Sequence, residues 1–349
     1  MRAQRLSARL FTSSRGRRQI ARGPFAPALV GVAVALTLSG LSIRLSAHAT
    51  ILTGRTAIAV FNGGVIERSI DDGATWTVVH SGTTADLRRG ACTTPKICYT
   101  VGSSGVILQT MDAGQTWQPQ HSGTTSGFKD IAFSDASHGL IVGTSGVILT
   151  TVDGGSHWVK QHSGTGVTLR NAALRTANGL QYGYAVGDNG VIIASTNATD
   201  VNATWFPQKS GTTTSFNGVE FVDAKTGGAV GENGLIETTS DGGATWTKQP
   251  SGTTHGLKEL AAPDSTRWFA VGTASTIIAS SDGGKTWSNQ PSAVSGNLLA
   301  MGFPDGDASH GVANGYDGIQ EVTTDGIHWV AVQSHTTQVG YGVMWTTLV

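Results

Sequence analysis

Charge is scarce in this sequence, cysteine is scarcer, and a helical hydrophobic period is missing. Charged residues make up 13% of the 349 positions, about half the 25% usual for a soluble domain. That excludes a charge-driven disordered chain and a coiled coil. The formal net charge is +0, but that neutrality is misleading: without the basic N-terminal segment the rest is mildly acidic, with no general electrostatic reason to bind nucleic acid or anionic membrane. Two cysteines, Cys92 and Cys98, are too few for a disulfide-framework domain, and no histidine stands close enough in sequence to make a zinc site with them. No segment shows an amphipathic 3.6-residue pattern, so the fold class expected is all-β.

Acids are wholly absent from the first 49 residues, which carry eight arginines: Arg2, Arg5, Arg9, Arg15, Arg17, Arg18, Arg22 and Arg44. The uncharged run Phe25–Ile43 follows most of them, and Ala47-His48-Ala49 has the small-x-small form of a signal-peptidase site. We therefore expect residues 1–49 to be a signal peptide, or else an N-terminal anchor, and residues 50–349 to be the folded domain. Removing that segment leaves 15 cations against 23 acids, a net charge of about −8. The expected localisation is extracytoplasmic (secreted, periplasmic or thylakoid lumen), with membrane attachment only if the segment is retained. In such a compartment Cys92 and Cys98, six apart, are expected to pair as a disulfide.

What the sequence has in abundance is repetition. Trp76, Trp117, Trp158, Trp205, Trp246, Trp287 and Trp329 recur in one local context at spacings of 41, 41, 47, 41, 41 and 42. Five residues after each stands a serine, from Ser81 to Ser334, usually opening Ser-Gly-Thr. Within one unit the signals are those of four short strands. Phe128–Phe133 alternates with period two; Gly139–Gly143 and Val147–Thr151 flank a Gly-bounded turn; His157–Gln161 makes a fourth. Four strands per unit of this length is one propeller blade. The first copy lacks an innermost strand, whereas Gly340-Tyr341-Gly342-Val343-Met344-Trp345 is an innermost strand without a blade. The two fragments should combine, giving a seven-bladed β-propeller of four-stranded antiparallel blades closed by the C-terminal strand.

The third and fourth strands are joined by Ser/Thr-x-Asp-x-Gly-x-Thr-Trp. The motif places Asp71 before Trp76, Asp112 before Trp117, Asp153 before Trp158, Asp241 before Trp246 and Asp282 before Trp287. A shorter form places Asp325 before Trp329, and in the fourth copy Asn197 stands near the Asp position with six extra residues. An aspartate there can accept turn N–H groups, and the tryptophan can bury its face between blades while its indole N–H finds a partner. These residues are read as structural. The motif is the Asp box, or bacterial neuraminidase repeat, and the cadence Gly-x-x-Gly-Val-Ile-Leu-x-Thr-x-Asp-x-Gly-x-Thr-Trp resembles the photosystem II stability/assembly factor-like propellers.

That resemblance implies a non-catalytic, exported, protein-binding scaffold that holds a segment of an unassembled membrane protein. The alternative is an extracellular glycan-binding or glycoside-hydrolysing propeller, since sialidases share the repeat. None of the arginines Arg55, Arg68, Arg88, Arg89, Arg170, Arg175 and Arg267 lies in the sialidase sequence context, although Glu220, Glu232 and Glu259 could converge near the axis. No catalytic residue, cofactor or metal is expected. Aligning the innermost strands puts Arg88, Lys129, Arg170, Asn217, Lys258, Leu299 and Tyr341 in one column. Arg88, Lys129, Arg170 and Lys258 would form a basic ring at the channel mouth opposite the Asp boxes. Such a ring suits an acidic peptide or membrane-protein segment as partner, not nucleic acid, with the chain itself a monomer.

Overall fold

A computed structural model describes residues 55–346; the segment 1–49 read as a signal peptide lies outside them. Among the described residues 28 strands form seven antiparallel sheets of four. The motif arithmetic sets blades 2 to 7 in chain order, with innermost strands Leu87–Cys92, Phe128–Phe133, Leu169–Ala177, Phe216–Phe221, Leu257–Ala261 and Leu298–Gly302. Blade 1 takes its innermost strand from the far end of the chain. Gly340–Trp345 pairs with Ala57–Phe61, setting Ala57 opposite Trp345 and Ala59 opposite Val343. Ile66–Ser69 and Thr77–Val79 complete that sheet. The expected closure is thus the observed one.

The core is divided among the interfaces between consecutive blades. Ile58, Val60 and Met344 of blade 1 bury against Leu87, Leu108 and Trp117 of blade 2. Ala57, Phe61, Trp76 and Trp345 bury against Val312 and Val322 of blade 7. The seam is therefore packed like any other interface, as a closed ring requires. Helix is confined to six three-residue 3-10 turns among the described residues, each between the second and third strand of a blade.

The serine marker has a physical cause. Ser163 Oγ donates to Thr165 O (3.1 Å), folding the inter-blade link back over Gly146. That glycine has φ +68°, and a Cβ on it would stand 2.1 Å from Thr165 O. Only glycine fits under the link. Each blade thus has two turn faces. Its Asp-box turn shares one face with the hairpin between the first and second strands. The 3-10 turn and the inter-blade link share the other.

Candidate functional site

Every innermost strand departs from regular pairing at one equivalent residue. Pairing skips from Leu87 to Arg89, Phe128 to Asp130, Leu169 to Asn171, Phe216 to Gly218, Leu257 to Glu259 and Leu298 to Ala300. In blade 1 it skips across Tyr341. The bulged residues are Arg88, Lys129, Arg170, Asn217, Lys258, Leu299 and Tyr341, the column seen in sequence. A bulge adds a residue to one strand only and re-aims its side chain. Here it does so seven times around one channel mouth.

The sequence expectation took in the cations alone, but three carboxylates stand among them. Arg88 Nη2 lies 3.4 Å from Asp86 Oδ2, and its guanidinium stacks 4.0 Å over the Tyr341 ring. Arg170 Nε donates to Asp188 Oδ1 at 2.6 Å. Lys258 Nζ donates to Glu232 Oε1 at 2.5 Å, an oxygen that also accepts from Asn217 Nδ2 at 2.9 Å. The acids come from the links and 3-10 turns, which return to this same face. Lys129 has no ion pair of its own among the described residues; burial, together with the charges of Arg88 and Arg170, lowers its pKa. The mouth is a mixed-charge ring with a small cationic excess, centred on Lys129.

One residue further along, the channel is crossed. The Arg89 guanidinium, from blade 2, donates to Tyr341 O in blade 1 and Leu299 O in blade 7, and ion-pairs with Glu259 in blade 6. Asp130 Oδ2 accepts the Ala172 N–H (2.8 Å) and Asn171 Oδ1 the Val219 N–H (2.8 Å), each bond tying one blade to the next. Below them lies a cavity of about 610 Å³, lined by all seven innermost strands and reaching Cys92, Asp223, Asp264 and Asp305 on the Asp-box side. Arg175 and Glu220 form a second ion pair on its wall. Burial pushes Asp130 up to about 7 against the pull of Arg89. Burial pushes Glu259 up to about 8, with Arg89 opposing and Asp130 and Glu220 adding to the rise.

Of the three glutamates that sequence brought together, Glu220 and Glu259 line this cavity and Glu232 does not. Glu232 belongs to a 3-10 turn at the opposite mouth. Asp130 takes its place, and sequence reasoning missed it. Plain alternation turns Asp130 and Lys129 to opposite faces, and only the bulge reveals that Asp130 follows Lys129 into the channel region. A repeated doublet of polar residues, Arg88-Arg89, Lys129-Asp130, Arg170-Asn171 and Lys258-Glu259, was the signal available.

The Asp boxes lie on the other face, and their aspartates are filled with local bonds. Asp241 Oδ1 accepts the Thr245 N–H (2.9 Å) and the Thr239 hydroxyl (2.8 Å), while Oδ2 accepts the Thr245 hydroxyl (2.6 Å). The Thr245 bonds hold its pKa down at about 2. Asp71, Asp112 and Asp282 repeat the pattern, and in Asp153 and Asp325 a histidine replaces the threonine hydroxyl. Asn197 substitutes in blade 4, accepting from Ser195 Oγ and the Thr204 N–H. The tryptophans divide. Trp76, Trp287 and Trp329 donate their indole N–H to Gly73 O, Gly284 O and Gln290 Oε1. The indole N–H groups of Trp117, Trp158, Trp205 and Trp246 are buried without a partner among the described residues, so the expected bond forms in three blades only. Cys92 and Cys98 are directly opposed across a hairpin and joined by a disulfide of S–S 2.05 Å. No group of three metal-ligating side chains occurs among the described residues.

Comparison with known proteins gives one family-model match over part of the chain and three similar folds. Residues 120–201 match the family model described as photosynthesis system II assembly factor YCF48. The solved structure of YCF48 bound to D1 peptide is 19% identical at a TM-score of 0.57, covering 72% of this chain and 82% of that one. YCF48 from Cyanidioschyzon merolae is 19% identical at 0.57, with 73% and 87% covered. The GH74 xyloglucanase from Xanthomonas campestris is 14% identical at 0.60, with 84% and 52% covered, so the chain spans about half its length. No curated protein matches the chain. The chain is thus a seven-bladed Asp-box propeller similar to YCF48.

Proposed function

Starting from its likeness to YCF48, we propose that this propeller is a non-catalytic protein-binding scaffold working outside the cytoplasm. Its bulge-ring mouth would receive an acidic segment of another protein. The observation that carries the reading is the sevenfold bulge, which sets Arg88, Lys129, Arg170 and Lys258 around one mouth. Lys129 is the one of the four without a carboxylate partner among the described residues. A carboxylate entering there meets a desolvated ammonium flanked by two guanidinium groups, where charge pairing is worth more than on an open surface. The solved complex of YCF48 with a D1 peptide supports a protein segment as the partner class.

The channel chemistry supports a scaffold over a hydrolase. Glu220 and Glu259 each answer a guanidinium, Asp130 caps a backbone N–H, and the cavity lining contains no tyrosine. A sialidase-like site needs arginines turned toward substrate and a tyrosine nucleophile. Here both arginines are spent on the wall itself.

The test is capture of partners by the full chain, wild type against Arg88/Lys129/Arg170/Lys258→Ala. The expected result is loss of an acidic partner in the mutant and weakening of wild-type capture as salt rises. Equal capture by both proteins would end the assignment of this mouth.

A further inference from the structure

Six blades share a buried apolar pair that the seventh replaces with amides. Near the end of the second strand a valine is set opposite an isoleucine near the start of the third. The pair runs from Val60–Ile66 in blade 1 to Val271–Ile277 in blade 6 without exception. In blade 7 it is Asn314–Gln320. Both side chains face blade 1, because Asn314 Nδ2 donates to Gly342 O (3.2 Å) across the seam. Glu67 faces them from blade 1, at a position that is leucine or isoleucine in blades 2, 3, 4 and 6. Glu237 and Glu321 stand instead at the interfaces with blades 4 and 6, whose pairs are apolar. Three polar replacements therefore meet at one interface of seven, a coincidence that repetition alone does not produce.

None of the three reaches solvent: Glu67 and Asn314 are 0% exposed and Gln320 1%. Yet Glu67 Oε2, Asn314 Oδ1 and both amide atoms of Gln320 are buried without a hydrogen-bond partner among the described residues. Buried polar groups are satisfied almost everywhere in folded proteins, so four orphans in one place call for a common partner. Their neighbours hold two of them in position. Glu67 Oε1 is fixed by the Ser334 hydroxyl and the His335 N–H, and Asn314 by its bond to Gly342 O. The fit there is close: a Cβ on Gly340 would stand 2.7 Å from Asn314 Cγ. Burial raises the Glu67 pKa, and the link bonds together with the nearby Gln320 amide oppose the rise.

We propose that Glu67, Asn314 and Gln320 bind one monovalent metal cation, sodium or potassium, between blades 7 and 1. A carboxylate and two amide oxygens are the hard donors that such ions take. Gln320 has neither amide atom engaged, so its oxygen can turn to the ion. One carboxylate balances one positive charge, which favours a monovalent ion over calcium. Water meets the same atoms but brings no charge to a carboxylate buried this deeply. No three of His, Cys, Asp and Glu come together among the described residues; two of these three ligands are amides. Because the ligands come from both sides of the seam, the bound ion stabilises the closed ring over any opened one. The proposal does not depend on the partner assigned to the mouth.

The test is urea denaturation of the full chain in sodium, potassium, calcium or choline chloride at one ionic strength. Expected is a higher urea midpoint in sodium or potassium than in choline. Above the ion's Kd, each tenfold rise in its concentration should lower the unfolding constant about tenfold. Asn314→Val with Gln320→Ile restores the pair of the other six blades and should abolish the ion's advantage over choline. Glu67→Gln keeps the shape and an oxygen for the link bonds but loses the charge, and it should weaken the advantage several-fold. Circular dichroism of each variant confirms the fold. A crystal structure in the favoured salt locates the ion whatever the variants do, with a centre ligated only by oxygens between the three side chains. Equal midpoints in all four salts would overturn the proposal, leaving water or direct amide–carboxyl contact to satisfy the cluster. An advantage confined to calcium, one unchanged in both variants, or an ion found elsewhere would overturn it too.

Discussion

The seam between blades 7 and 1 and the interface between blades 4 and 5 present a glutamate at the same place and treat it in opposite ways. The third residue from the end of the third strand faces the preceding blade. It is Leu108, Leu149, Ile193 and Ile278 in blades 2, 3, 4 and 6, and Glu67, Glu237 and Glu321 in blades 1, 5 and 7. Glu67 Oε1 accepts the Ser334 hydroxyl (3.0 Å) and the His335 N–H (2.7 Å) from the end of blade 7. Glu321 accepts the Ser292 hydroxyl and the Ala293 N–H from the end of blade 6. Glu237 is 3% exposed, and its side chain makes no hydrogen bond among the described residues, with Oε2 wholly buried. The difference lies in the partner blade. Where the glutamate accepts bonds from the link, although Glu67 Oε2 is buried without a partner among the described residues, the residue after the link serine is Ala293 or His335. Before Glu237 it is Gly211, at φ +70° like the other link glycines. A left-handed glycine keeps its N–H out of the interface; a residue with negative φ offers it. Glutamate and a non-glycine link form one two-part latch, and blade 5 holds half of it.

The comparison can be broken most severely at the seam. Ending the chain before Gly340 removes the innermost strand of blade 1, with Met344 and Trp345, and bares the edge of Ala57–Phe61. The expected loss is more than about 5 kcal/mol, comparable to a domain's whole stability. Expected on size-exclusion chromatography is aggregation through that edge. A backbone nick in the exposed Val201–Asn202 segment of blade 4 removes no strand and should leave the protein a monomer. Equal damage from the two would show that the strand closing the ring has no special weight.

Exchanging the glutamates for isoleucine gives smaller effects of opposite sign. Glu67→Ile strands the His335 N–H and leaves the Ser334 hydroxyl only Thr336 O (3.3 Å); it should cost about 1–3 kcal/mol. Glu237→Ile removes an unpaired buried carboxyl and restores the residue type of blades 4 and 6; it should stabilise by a similar amount. Rising pH sharpens the contrast. Burial raises the Glu237 pKa from 4.5 to about 7, against the pull of Lys248. Between these values the folded state keeps a proton that the unfolded chain has lost. Its contribution is therefore intact below pH 4.5, falls as pH rises to about 7 and is flat beyond. Asp130 and Glu259 act in the same sense, so the quantity to follow is the difference between wild type and Glu237→Ile in urea melts. It should grow across that window. A difference independent of pH would mean that Glu237 is ionised in the folded state at all pH values tested, or paired.

Blade number, closure and motif positions were legible because each rests on a repeated local signal: a tryptophan period, a serine offset, a strand left over. The channel interior was not, because the seven bulges are invisible to period-two alternation. One uncounted residue moves Asp130 to the axis, and Glu232 stands at the other mouth because it belongs to a 3-10 turn. The acids beside Arg88, Arg170 and Lys258 were unread for a related reason. Asp86, Asp188 and Glu232 occupy links and turns that vary between copies, and only the hairpin geometry returns them to the ring.

The latch itself can be rebuilt, which tests the comparison at its finest scale. Gly211 has open space around its Cβ position and only its left-handed φ to forbid a side chain. Alanine there costs about 1–2 kcal/mol if the backbone stays. It costs less if the link adopts the conformation of Ala293 and turns its N–H toward Glu237. Gly211→Ala should therefore be better tolerated with Glu237 present than in the Glu237→Ile background, by a coupling of about 1 kcal/mol above pH 7, where the carboxylate is charged. Below pH 5 the protonated carboxyl is a weaker acceptor and the coupling should shrink. A double-mutant cycle by urea denaturation at both pH values measures it. Additive effects at both would mean that the glycine, and not the missing N–H, is the wrong explanation for why Glu237 stands alone.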